Sequence, residues 1–362
     1  MTAGHTVVRR APGKLYVAGE YAVVEPGNTA ILVAVDRYLT VTVSGTDSGV
    51  EISSDLTART VRHRWRDGRL TGGDGTTAYV VSAVETVAAL LAERGLPVPP
   101  LSVSVHSDLH DDGRKYGLGS SGAVTVATIA AVASYCALEL TPEARFRLAL
   151  LATARIDPKG SGGDLAAGTF GGWIAYRAPD RAFVLDLARD HGVEEALRAD
   201  WPGFEIRRLP APAGLSLQVG WTGNPASTTS LVAGLHRRTW RGSPSHQKFM
   251  ETSHDFVHAA IDALEAGDGP AFAQQIRRAR QELARLDDEV GLGIFTPELT
   301  ALCDTAEAVG GAAKPSGAGG GDCGIALLDA DAPHHIAHVR QRWAAAGVLL
   351  LPVGPAPEGN EE

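Results

Sequence analysis

The residues of this 362-residue chain whose types and spacing could do chemistry lie in glycine-rich stretches. From Lys115 onward, Gly117, Gly119 and Gly122 bracket Leu118, Ser120 and Ser121, and Ala123 opens an apolar, proline-free run to Cys136. That pattern predicts a loop feeding a helix N-terminus. The first helical turn leaves N–H groups unpaired and carries the positive end of the macrodipole. Glycine lets the backbone approach an anion closely or take a positive φ. The combination predicts a phosphate cradle, with two serine hydroxyls available to phosphate oxygens or a magnesium ion and Lys115 at the entrance. The order differs from the common P-loop, where lysine directly precedes the hydroxyl residue.

Two further stretches have the same character. Lys159, Gly160, Ser161, Gly162 and Gly163 lead to Asp164, an acid at the end of a glycine-rich turn with a lysine five residues upstream. This is the composition of a reacting site. After Lys314, Ser316, Gly317, Ala318 and Gly319 open a run with five glycines between Gly317 and Gly324. Ordering so bare a loop costs backbone entropy, so it is expected to be bound or closely pressed upon. The five lysines are Lys14, Lys115, Lys159, Lys248 and Lys314, and all but Lys248 sit in or beside glycine loops. A lysine ammonium suits a phosphate oxygen, so the placement predicts one shared polyanion site. A hydroxyl-rich segment at 223–230, including Ser227, precedes an expected helix and could cap it or meet an anion.

Composition bounds the rest. With 44% hydrophobic and 21% charged residues the chain is ordinary globular material, long enough for about two domains. A net charge of −9 argues against nucleic acid as the main partner. No run of eighteen apolar residues and no charged-then-apolar leader occurs, so no membrane partner and a cytoplasmic location are expected. Cys136, Cys303 and Cys323 show no metal spacing or disulfide framework and read as buried thiols. His254 and His258 share a helix face without the acid of a zinc motif. These two, with His334, His335 and His338 and the arginines Arg277, Arg278, Arg280 and Arg285, read as solvated faces.

Elements that would position the loops follow from periodicity and turn chemistry. Strands are expected over 6–10, 30–35, 39–43, 50–53, 60–65, 101–106, 173–176, 204–209, 215–221, 325–328 and 348–352. Lys14 falls in a turn after the first of them. Helices are expected over 79–94, 123–136, 142–155, 245–266, 270–286, 297–309 and 333–346. The charged, irregular text of 179–202 reads as a domain boundary, giving units at 1–180 and 200–354 and a disordered tail at 355–362.

Together the glycine motifs resemble those of the GHMP kinases, the superfamily of galactokinase, homoserine kinase, mevalonate kinase and phosphomevalonate kinase. The resemblance spans nearly the whole chain and is nearest to the phosphomevalonate kinase branch, on residues 13–27, 220–230 and 316–324. Gly19-Glu20-Tyr21 stands where mevalonate kinases usually show Gly-Glu-His. The resemblance implies a two-domain α/β (α+β) fold with the active site in the interdomain cleft, and transfer of the ATP γ-phosphoryl group to 5-phosphomevalonate. It implies Lys14 and Asp164 as the catalytic pair and ATP phosphates held by Lys115, Gly117, Leu118, Gly119, Ser120, Ser121, Gly122 and Ala123. The acceptor would meet Tyr21, Lys159, Ser161, Gly162, Ser227, Ser316, Gly317, Ala318 and Gly319. The magnesium-binding glutamate of related kinases falls on Thr153, which leaves Mg2+ to Ser120, Ser121, phosphates and water. Mevalonate itself as acceptor, the decarboxylating branch and a ligand-sensing member are the alternatives. Oligomeric state is left open, a homodimer among the options.

Overall fold

The computed structural model describes residues 5–56, 59–72, 75, 77–111, 113–224 and 240–358. Ser227 and the helix expected after it lie outside the described residues.

Two sheets organise the chain. The first is built on a long antiparallel pair, β1 (Val7–Ala18) and β2 (Thr29–Gly45). The far side of β2 pairs with β9 (Trp173–Arg177) along Thr29–Val33 and with β6 (Leu101–Ser107) along Leu39–Gly45. Beyond β6 come β3 (Val50–Ser54), β4 (Val61–Arg66) and β5 (Arg69–Thr71). The β4–β5 hairpin turns on Asp67 and Gly68, both at positive φ, as the Asp-Gly pair predicts.

Four helices cover this sheet: α1 (Ala78–Glu93), α2 (Ser120–Tyr135), α3 (Pro142–Ala154) and α4 (Gly163–Phe170). Small apolar residues occur all round α2, and it packs on β1 and β2 with α1, α3 and α4 at its flanks. A helix apolar on every side belongs in a core. The α3 start follows its sequence signal, with Thr141 Oγ1 accepting from Ala144 N and Pro142 in the first turn.

The second sheet is antiparallel, in the order β12 (Ala312–Pro315), β13 (Cys323–Asp329), β11 (Leu215–Trp221), β14 (Leu349–Leu351). Helices α7 (Pro244–Glu265) and α8 (Gly269–Val290) form an antiparallel pair; α9 (Pro297–Glu307) and α10 (Pro333–Ala345) pack on the sheet. Cys303 and Cys323 are buried free thiols and Cys136 is half-buried.

Several expectations change. Residues 179–202 are not an irregular boundary stretch: they form α5 (Arg181–His191), capped by Asp180, and α6 (Val193–Arg198), both packed on α3. Arg147 binds the carbonyls of Leu197 and Ala199, closing this segment onto the first unit. The next strand, β10 (Glu205–Leu209), pairs with β9, so it belongs to the first sheet and not to a unit beginning at 200. The crossover falls between Leu209 and Leu215. Residues 355–358 are not a free tail either. Ala356 is buried and its N–H donates to Ala34 O at 2.8 Å, while Pro355 bridges Val35 and Glu358 bridges Gly171.

Candidate active site

Lys14 does not lie in a turn. It sits within β1, opposite Ala34, and the period-two alternation places Lys14 and Tyr16 on one face while Leu15 and Val17 enter the core. Lys14 N donates to Leu118 O at 2.9 Å, which ties the strand to the Gly117–Gly122 loop. In that loop Gly117 and Gly119 take φ of +82° and +76°, and Gly119 is the left-handed N-cap of α2. The N–H groups of Ser120, Ser121 and Gly122 therefore begin the helix without intrahelical partners.

Asp164 lies in the first turn of α4, with Oδ1 accepting from Leu165 N at 3.0 Å. Leu165 to Phe170 complete this helix. Glycine is required where α2 meets Asp164. A Cβ on Gly122 would stand 2.4 Å from Asp164 Oδ2, and one on Gly119 would stand 3.0 Å from Lys14 Cγ and 3.1 Å from Asp164 Cβ. Lys14, Asp164 and the helix start thus occupy one small volume. Gly122→Ala would normally favour a helix, yet here the methyl needs the space of the carboxylate. Its expected result is a Tm within a few degrees of the parent and a kcat lowered at least about tenfold, read by thermal melting and steady-state assay.

Lys14 and Asp164 are both half-buried. Burial pulls the Lys14 ammonium below the usual lysine range, opposed by Asp164 first and then by Asp322, Cys323 and Glu20. Burial pushes Asp164 above the usual carboxylate range, opposed chiefly by Lys14. The two therefore depend on each other for their charged forms.

Lys14 opens into a cleft lined from four parts of the chain. Lys14, Tyr16, Glu20 and Tyr21 come from β1 and its exit, and Gly117 from the loop before α2. Asp157, Lys159, Gly160 and Ser161 come from the second motif, and Ser316, Gly317, Ala318 and Asp322 from the third. A Cβ on Gly317 would lie 3.7 Å from Lys14 Nζ, so the third motif reaches the ammonium from the other half of the fold.

The third motif is held there by three contacts across the halves. Ser316 Oγ accepts from Tyr16 N at 2.9 Å and donates to Tyr16 O at 3.0 Å, docking on the free edge of β1 where its register shifts. Tyr21 Oη donates to Ala318 O at 2.6 Å. Lys314, wholly buried, pairs with Glu20 and also donates to Pro315 O at 2.7 Å. Lys314 is therefore no polyanion ligand: its charge is spent on Glu20. Likewise the Ser316 and Tyr21 hydroxyls hold protein carbonyls. Lys314→Met would leave Glu20 buried and unpaired, and the expected loss of stability is about 3–5 kcal/mol by denaturant unfolding. Adding Glu20→Leu to that variant is expected to recover most of it.

The other expected residues scatter. Lys159 is exposed and lines the cleft. Ser161 lines it too, but its hydroxyl is engaged by Tyr16 Oη at 2.6 Å and by Gly163 N at 3.2 Å. Gly162, at φ +81°, packs on Leu150 and Tyr176, and Gly319 on Ile294; both shape the walls from behind. Leu118 and Ala123 are buried supports, and Ser120 and Ser121 are half-buried at the helix start. Lys115 is exposed on β8 (Arg114–Lys115), paired with β7 (His110–Asp111) at the loop entrance rather than in the cleft wall. Lys248 is exposed on α7. Tyr16, Glu20, Asp157 and Asp322 were not singled out as ligands. Asp322 lay within the third motif, and Tyr16 stood two residues from Lys14 on an extended segment. Among the described residues no group of three or more His, Cys, Asp or Glu side chains could hold a metal ion, and no helix is long and apolar enough to cross a membrane.

Comparison with known proteins shows the family of the chain. Residues 78–172 match the GHMP kinases N terminal domain and residues 260–347 the GHMP kinases C terminal domain. A phosphomevalonate kinase of Streptomyces sp. (strain CL190) is 68% identical, covering 99% of this chain and 100% of the relative. The crystal structure of a Lin0012 protein from Listeria innocua superposes with a TM-score of 0.91 at 34% identity, covering 98% of this chain and 99% of that one. The Streptococcus pneumoniae phosphomevalonate kinase in complex with phosphomevalonate and AMPPNP superposes at 0.86 and 28% identity, covering 96% and 99%. With cradle, cleft and full-length likeness in agreement, the chain belongs to the GHMP kinase family.

Proposed function

We propose that this chain is an ATP-dependent kinase that transfers the γ-phosphoryl group of ATP to the phosphate of (R)-5-phosphomevalonate, giving 5-diphosphomevalonate and ADP. The observation that carries the reading is the 68% identity, over 99% of the chain, to a relative named for this activity. The cleft supplies the matching chemistry. The N-terminus of α2 and the Gly117–Gly122 loop receive the ATP phosphates, with Lys115 at the entrance and Leu118 and Ala123 as supports. Lys159, Gly317 and Ala318 face the acceptor side.

A phosphate monoester has its second pKa near about 6, so the attacking oxygen is already largely anionic at neutral pH. It needs little deprotonation. Bringing two polyanions into line is the harder task, and phosphoryl transfer depends on alignment and charge stabilisation more than on covalent help. Lys14 stands between the cradle and the third motif, where its ammonium can bridge acceptor and γ-phosphate. Asp164 keeps Lys14 charged and pointed, and so acts by position rather than as a base.

Magnesium accompanies ATP in such transfers and neutralises charge on the β- and γ-oxygens. The donors here, Ser120 and Ser121 hydroxyls without a carboxylate trio, fit an ion carried mainly by phosphates and water.

The test is ADP release with each acceptor. The expected kcat/KM is at least about a hundredfold higher with 5-phosphomevalonate than with mevalonate, the margin of a site built around a charged group. Equal or reversed values would assign the chain to mevalonate, with Asp164 then serving as base. Release of carbon dioxide would assign it to the decarboxylating branch.

A further inference from the structure

We infer that Tyr16 is a positioning residue for the transfer, fixing Lys14 through its ring and the Asp164 turn through its hydroxyl. The inference rests on the reading above and deepens it. Tyr16 contacts Lys14 on its own strand, the second motif through Ser161 and the third motif through Ser316. Lys14 Nζ lies 4.9 Å from the centroid of the Tyr16 ring, within the range where an aromatic face attracts a cation. Tyr16 Oη is 2.6 Å from Ser161 Oγ, which in turn accepts from Gly163 N, one residue before Asp164. The main-chain N–H and C=O of Tyr16 are both taken by the Ser316 hydroxyl.

The surroundings are shaped for this ring. A Cβ on Gly163 would stand 2.4 Å from Tyr16 Oη, so the second position of the turn must be glycine to admit the phenol. Tyr176 holds the same turn from behind, its hydroxyl donating to Ser161 O at 2.7 Å. Tyr16 is 8% exposed, and that exposure is to the cleft. Burial raises its phenol pKa well above the ordinary value, so it remains a neutral hydroxyl across the working pH range. Such a group cannot serve as a base. What it supplies is distance: the ring supports the ammonium from below while the hydroxyl fixes where α4 begins. One rigid side chain thus helps place both the ammonium and the turn that carries the carboxylate.

Tyr16→Phe keeps the ring and removes the hydroxyl; Tyr16→Leu removes both supports. With the parent shown to turn over ATP and 5-phosphomevalonate, the expected kcat falls roughly tenfold in Tyr16→Phe and roughly a hundredfold or more in Tyr16→Leu. KM for both substrates should stay within about threefold and Tm of Tyr16→Phe within a few degrees. Ser161→Ala should cost about as much as Tyr16→Phe, and the double variant little more than either, because both break one hydrogen-bonded link. A kcat within twofold of the parent in Tyr16→Phe, or a Ser161→Ala effect that simply multiplies with it, would overturn the inference. So would an acceptor KM raised tenfold at constant kcat, which would make Tyr16 a substrate ligand. A parent inactive with this pair would instead defeat the functional reading itself.

Discussion

Replacing Lys14 with methionine is expected to lower kcat roughly a thousandfold, about 4 kcal/mol of transition-state stabilisation. Methionine retains the length and apolar stem of lysine but removes the charge. Lys14 Nζ is bracketed by the Tyr16 ring, the Gly317 backbone and the Asp164 region, so no second cation of the cleft wall can take its place. Lys159, the other lysine lining the cleft, is exposed. Substrate affinities should change far less than turnover, because the charge matters most where the bridging phosphoryl group forms. The fold should not suffer. Burial already disfavours the ammonium, so Tm is expected to be unchanged or raised, a common consequence of neutralising an active-site charge. Parallel kcat, KM and Tm measurements check this. A fall in Tm of ten degrees with activity lost in proportion would mean that Lys14 is structural.

Asp164→Asn is expected to lower kcat roughly a hundredfold to a thousandfold, with a characteristic pH dependence. On the proposed role activity requires the Lys14 ammonium, so the rate should decline as pH rises through the Lys14 pKa. In the parent that pKa is lowered by burial but supported by Asp164, with Asp322 and Glu20 adding to the support. Removing the Asp164 charge disfavours the protonated lysine, so its pKa drops further and the basic limb moves to lower pH. The deficit of the variant therefore deepens with rising pH and is flat on the acid side. A base would give the opposite. If Asp164 removed a proton from the acceptor, the variant would recover as hydroxide rose, and a pH–rate profile of that form would refute the positioning role.

The parts of this architecture legible in the sequence are those whose physics is local. Gly117, Gly119 and Gly122 announce a backbone that must pass close to something, and Thr141-Pro142 announces a helix start; both follow from geometry within a few residues. Pairings across 300 positions carry no such mark. Lys14 and Lys314 look alike as text, each beside proline and glycine, yet one faces the cleft and the other is consumed by Glu20. The Ser316 hydroxyl looks like a ligand until the free edge of β1 is seen to occupy it. The helices at 181–198 were hidden because they are short and charged, stabilised by packing on α3 and by Arg147 rather than by their own periodicity. The seating of 355–358 depends on main-chain pairing with Val35 and Gly171, to which side-chain composition is blind. Tyr16 was within reach: an extended chain places residues two apart on one face, and only the reading of Lys14 as part of a turn concealed it.

The central claim is that one cleft presents the acceptor's phosphate, rather than a hydroxyl, to the terminal phosphate of ATP. Phosphorus NMR of the reaction product tests it most directly. Besides the ADP doublets that any transfer produces, the account predicts a second pair of mutually coupled doublets from the product diphosphate, growing as the single resonance of the acceptor's phosphate disappears. If that resonance persists and an uncoupled monoester signal grows beside it, the phosphoryl group has gone to a hydroxyl, and the claim is contradicted.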